Sequence, residues 1–194
     1  MSPKRSRSVL VLLLAGFGSV AVNGCGGAAN AALKTEADSL RTALAAVTAA
    51  NATAAARLAT FDTLDFDVYS NQKWDRLHES HANDILVHWP DGHTTRGIEP
   101  HIADLKGQFV FAPDTKISEH PIRIASGDWT AVTGTMTGTF SKPMPLGNGK
   151  FVQPTGKSFS VPMATIGHWK GGVMDEEYLY WDNQTFMKQI GLAK

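Results

Sequence analysis

The chain has 194 residues, enough for one ordinary domain plus accessory segments. Its 18 Lys and Arg balance 18 Asp and Glu, so no net positive field is available to concentrate a polyanion, which argues against nucleic acid as a partner. The single cysteine, Cys25, excludes an intrachain disulfide.

The chain opens with Lys4, Arg5 and Arg7 ahead of an apolar run from Val9 to Val22, shorter than the roughly 20 residues that span a bilayer. That pattern predicts an export signal over residues 1–24. The run ends at "VNGC", which resembles the lipobox of bacterial lipoproteins, where a small residue precedes a cysteine that is cleaved and acylated. The resemblance implies lipidation of Cys25 and an address in the cell envelope, on the periplasmic or outer face. Acylation anchors a protein to the membrane without making it span. An ordinary signal peptide cleaved nearby, leaving a free thiol, is the other reading.

Residues 25–61 are rich in Ala and, beyond Gly27, free of Gly and Pro, which predicts a long helix. Leu33, Leu40, Val47, Ala54 and Phe61 recur every seven residues, and Ala37, Leu44, Asn51 and Leu58 interleave with them. The stripe leaves two readings open: a helical spacer holding the domain off the membrane, or a self-associating stalk that makes a homo-oligomer.

From residue 62 the chain reads as one domain. "TLDFDVYSNQKWDRLHESH" has helix-like apolar spacing, "NDILVHW" is β-rich, "PDGHTTRG" is turn chemistry and "IEPHIADLKGQF" is a short helix with Pro100 in its first turn. Strands are predicted in "TKISEHPIRIASG", "DWTAVTGTMTGTF", "KSFSVPMATIGHWKGG" and "VMDEEYLYW". In the second, Thr133, Thr135, Thr137 and Thr139 alternate with Val132, Gly134, Met136 and Gly138, so one face is polar, and the glycines suggest bends or bulges. Helices followed by a long antiparallel meander predict an α+β fold, a curved antiparallel sheet wrapped around helices.

The blocks "ILVHWPDGHTTRG", "SGDWTAVTGTMTGTF", "PTGKSFSVPMATIGHWKGG" and "YWDNQTFMKQIGL" resemble, in that order, those of the SnoaL-like polyketide cyclase family within the nuclear transport factor 2-like superfamily, over residues 62–194. The resemblance implies a cone-like sheet with a pocket between helix and strands, and a small apolar organic molecule as partner. It also implies an intramolecular aldol reaction run without metal or organic cofactor. Such chemistry requires a proton-transfer group in a dry cavity. The family's catalytic aspartate lies three residues before the Asp matched by Asp182, so it falls on Leu179; the family's pocket histidine lands near Thr165. Neither residue here can act as a general base.

Alternation along the last strand puts Glu177 and Trp181 on the face of Leu179 and Glu176, Tyr178 and Tyr180 on the other. Glu177 is therefore the candidate acid/base, its pKa expected to be raised by apolar walls, with His88 or Tyr69 assisting. A surface carboxylate, or one paired with Lys or Arg, is the alternative. Tyr69, Trp74, Trp89, Leu179 and Trp181 are the candidate pocket residues. His78, His81, His88 and His93 fall within sixteen residues, but with no thiol available and a family that needs no metal no metal site is expected: His88 is read as a pocket residue and the others as loop and helix-surface polarity. "GNGKFVQPTGKS" lacks the first glycine of a phosphate loop and runs between strands. Two functions remain open: an acid/base enzyme of the cyclase, isomerase or hydrolase kind, and a non-catalytic small-molecule-binding module. An envelope address counts against literal polyketide cyclisation.

Overall fold

The computed structural model describes residues 26–194; the predicted export segment and Cys25 lie outside the described residues. The chain divides into two compact units, 1–45 and 46–194. In the first, all described residues belong to helix α1 (Gly26–Asp62). Its Leu33 and Leu40 are exposed. No helix among the described residues is long and apolar enough to cross a membrane.

In the second unit, the end of α1 turns its stripe into a core: Phe61 is fully buried and Leu58 packs beside it. Arg57 fastens this end to a β-turn, donating to the Gly127 carbonyl at 2.7 Å and to Asp128 at 2.9 Å. The helix then widens into a π-helical segment, Thr63–Tyr69, in which Ser70 N donates to the Asp65 carbonyl five residues back. Such widened turns often sit at functional sites. Here the turn buries Leu64, Asp65, Val68 and Tyr69 together. A 3-10 turn, Trp74–Glu79, leads into β1 (His81–His88), β2 (Thr94–Arg96) and helix α2 (Ile98–Phe111).

The remaining strands are β3 (Lys116–Ile117), β4 (Arg123–Ser126), β5 (Trp129–Thr139), β6 (Met144–Gly147), β7 (Lys150–Val152), β8 (Ser158–Lys170) and β9 (Val173–Trp181), followed by helix α3 (Asn183–Gln189). Of the nine strands among the described residues, seven form one sheet in the order β2-β1-β9-β8-β5-β3, with β4 also on β5, while β6 and β7 make a separate hairpin. The α+β class, with helices packed on a curved sheet, agrees with the sequence reading. Three details differ. The pairing of β1 with β9 is parallel, because the two strands are joined by most of the domain and no tight turn imposes the antiparallel sense. The predicted strand 115–127 is interrupted between β3 and β4, where Pro121 has no amide to donate. And β5 runs against β8 without a bulge despite its glycines.

Those glycines serve packing. A Cβ at Gly138 would lie 2.6 Å from the ring of Phe159, which is buried on the facing strand. The bulge sits in β9: Trp169 pairs with Met174 and His168 with Glu176, leaving Asp175 without a register partner on β8, although its side chain meets His168 there at 2.6 Å. The extra residue shifts the alternation by one, so Met174 and Glu177, three apart, both turn inward and both are buried.

Candidate active site

Between the sheet's inner face and the helices lies a cavity of about 140 Å³. Strands β5, β8 and β9 supply Met136, Met163, Thr165, Glu177, Leu179 and Trp181; the π-helical segment supplies Leu64, Asp65 and Tyr69; α2 supplies His101, Asp104, Leu105 and Gln108. His81, at the start of β1, and Trp89, just past its end, complete the wall with Ile117.

At its polar end three buried side chains converge. Glu177 is 3% exposed, His81 2% and His101 2%. Glu177 Oε2 lies 3.4 Å from His81 Nε2 and 3.4 Å from His101 Nε2. The two imidazole rings are 5.2 Å apart. His81 Nδ1 sits 2.8 Å from Ser80 Oγ and 3.3 Å from the Leu77 carbonyl, which fixes that ring. His101 is held differently: its Nδ1 is buried without a hydrogen-bond partner among the described residues.

The environment sets the protonation. Burial alone would push the Glu177 carboxyl up, but the hydrogen bond with His81 and the charges of His81 and His101 outweigh it, and its pKa falls below the ordinary value. The expected upward shift is therefore corrected: two histidines meet this carboxylate where apolar walls were expected. Burial pulls His101 down to about 4, so its imidazole is neutral at neutral pH.

A second buried carboxyl shares the cavity. Asp65 Oδ2 lies 2.8 Å from His120 Nε2, His120 Nδ1 lies 2.8 Å from Asp62 Oδ1, and Asp62 Oδ2 is 2.9 Å from Arg123. Desolvation raises the Asp65 pKa, and the nearby Glu177 charge adds to the rise against the lowering pull of His120. Burial opposes a charge on His120, yet its hydrogen bonds to Asp65 and Asp62 prevail and its pKa is raised.

The structure brings Glu177, Leu179, Trp181, Tyr69 and Trp89 to one cavity and leaves two candidates outside it. His88 points to the opposite face of the sheet, since it alternates with Val87; there it meets Glu176 at 2.8 Å and stacks on Tyr178 with ring centroids 4.1 Å apart. It cannot assist Glu177. Trp74 packs edge-on against Tyr69 and Phe109 behind the cavity wall. Tyr69 does line the cavity, its hydroxyl directed at Met136 Sδ, and burial raises its pKa, so it serves as a neutral hydroxyl rather than a base. Of the four clustered histidines only His81 reaches the site; His78 and His93 are exposed.

Sequence reasoning missed His101, Asp65 and His120. His101 stands in the apolar stripe Ile98, His101, Ile102, Leu105 of α2, and Asp65 between Phe61 and Val68 in the preceding helix. A polar residue at a core-facing helical position was the available signal. His120 lies in a loop with no periodicity to reveal it.

Thr165 and Leu179, the positions where the resemblance put the proton-transfer residues, are paired across β8 and β9 and both line the cavity. The sequence pattern of SnoaL-like polyketide cyclases matches residues 61–190. The chain belongs to the SnoaL-like polyketide cyclase family. Among solved structures, a SnoaL-like candidate polyketide cyclase from Jannaschia sp. CCS1 superposes with a TM-score of 0.62 at 22% identity, covering 72% of this chain and 94% of that one. IdmH, a candidate polyketide cyclase from Streptomyces antibioticus, gives 0.59 at 22% identity, over 70% and 98%. A protein of ketosteroid isomerase-like fold from Catenulispora acidiphila, solved with trimethylamine, gives 0.52 at 17% identity, over 64% and 87%. At these identities the likeness is one of fold. A comparison with curated proteins finds no match. The cavity thus has Leu179 and Thr165 where the resemblance put the proton-transfer residues, and Glu177, His81, His101 and Asp65 are ionisable groups buried in its wall.

Proposed function

We propose that the domain is a proton-transfer enzyme acting on a small apolar organic molecule, with Glu177 as the base and Asp65 as the acid. The observation that carries this reading is that two buried carboxyls line one largely apolar cavity with their pKa values moved in opposite directions, Glu177 down and Asp65 up. Such a divergence separates a base from an acid in one site. Glu177, ionised and oriented by His81, would take a proton from carbon next to a carbonyl; Asp65, protonated, would donate a hydrogen bond to the developing oxyanion. Met136, Met163, Leu179 and Trp181 would hold the apolar body of the substrate. We further propose that the chain is exported and acylated at Cys25, a reading supported by the basic start, the apolar run and "VNGC".

Apolar cyclic ketones serve as substrate-independent probes. Wild-type protein should accelerate exchange of their α-hydrogens with D2O above the buffer rate, as followed by NMR. Glu177→Gln should abolish the acceleration while leaving ketone affinity largely intact, because only proton transfer is removed. Unchanged exchange in Glu177→Gln would remove this residue from the chemistry. Ketone binding without exchange in wild type would favour the alternative, a binding module, for which the leucine at position 179 speaks.

A further inference from the structure

We propose that His81, His101 and Glu177 form a binding site for one divalent transition-metal ion, with zinc its natural probe. One ligand atom from each lies within 4.8 Å of the other two. Both Nε2 to Oε2 distances are 3.4 Å. Around a tetrahedral zinc with bonds of about 2.0–2.1 Å, ligand atoms sit about 3.3 Å apart, so the carboxylate edges already fit and only the two imidazoles need to close, by at most about 1.5 Å. Two imidazoles and one carboxylate are a donor set that binds zinc, or iron(II), with positions left open. The cavity lies beside this set and supplies the open side.

One further observation points to an ion, and it concerns how His81 is held. Metal-bound histidines are usually oriented through their other ring nitrogen, and His81 has that arrangement: its Nδ1 rests against Ser80 Oγ and the Leu77 carbonyl, with Nε2 toward the cluster. The His101 side chain is 3% exposed, its Nδ1 has no hydrogen-bond partner among the described residues, and its Nε2 lies 3.4 Å from Glu177 Oε2. Nε2 is the atom that faces the cluster, so an ion there would gain a ligand while Nδ1 stayed unpaired. None of this was expected from the four histidines clustered in sequence, three of which take no part.

The proposal goes beyond the proton-transfer reading: Glu177 is a base in the ion-free protein and a ligand in the loaded one. Untagged full-length protein, stripped with EDTA and dialysed, is titrated with ZnCl2 by calorimetry. One ion should bind per chain, and His101→Ala and Glu177→Gln should each weaken binding by at least about tenfold. His88→Ala, His93→Ala and Cys25→Ser should leave it unchanged, the last removing the only thiol. Independently of any variant's folding, Co2+ added to the wild type should give the intense visible bands of a tetrahedral site. Absence of saturable binding, binding that survives both ligand substitutions or is lost in Cys25→Ser, or only weak octahedral absorption would overturn the proposal. The deuterium-exchange assay is run in EDTA, so either reading can fail while the other stands.

Discussion

Replacing His120 with alanine should destabilise the fold and change how its stability depends on pH. The side chain is almost fully buried, and both ring nitrogens lie 2.8 Å from a carboxylate, Asp65 on one side and Asp62 on the other. Removing one partner of a buried ion pair costs about 3–5 kcal/mol. The lower end applies here, since the charge paired with His120 is carried by Asp62, which is partly exposed and also held by Arg123, while Asp65 is biased toward its neutral form. For a domain of this size about 3 kcal/mol corresponds to a fall of roughly 6–12 °C in Tm. The pKa of His120 in the fold lies above its ordinary value, so its contribution is complete below about pH 6.5 and is lost as pH rises through the raised value. Wild-type stability, measured by urea unfolding with tryptophan fluorescence, should therefore decline from about pH 6.5 upward, while His120→Ala should be nearly flat there. A variant within about 1 kcal/mol of wild type at pH 6, or a wild type that grows more stable over the same alkaline interval, would refute the assignment.

On the acid side the sign reverses. His101 is held neutral with its pKa lowered to about 4, so stability should be lost as pH falls from about 6.5 toward 4, by roughly 3 kcal/mol, in urea unfolding with EDTA present. A flat acid limb would contradict its burial. Gly138→Ala should cost about 1–3 kcal/mol in Tm or urea midpoint, because the new methyl meets the Phe159 ring between two paired strands; a neutral result would mean that ring has room to move. Asp182 caps α3, accepting from the amides of Gln184 and Thr185, so Asp182→Ala should lower stability by about 1 kcal/mol; no change in the urea midpoint would show the cap to be dispensable.

Much of the fold was legible because periodicity reports burial. The period-two threonines of β5 mark its outer face, and the apolar alternation of β8 marks its inner one. The parallel contact of β1 with β9 was not legible, since strand order depends on packing among distant segments. For the site, alternation put Glu177 beside Leu179 and Trp181, and those three do share the cavity. His88 was misjudged because its nearness in sequence to Trp89 says nothing about which face its strand presents. The residues that decide the electrostatics, His81, His101 and Asp65, come from the start of a strand, a helix 20 residues later and a π-helical turn. Their meeting with Glu177 depends on the β9 bulge at Asp175, which no local pattern encodes.

The central claim is that Glu177 faces an occupant of this cavity. Its most direct test is a crystal structure of the protein soaked with an apolar cyclic ketone that binds in solution. The ketone should lie in the cavity with its α-carbon about 3–3.5 Å from a Glu177 oxygen and its carbonyl toward Asp65. A ketone bound elsewhere, or one in the cavity with its carbonyl turned away from both carboxyls, would contradict it.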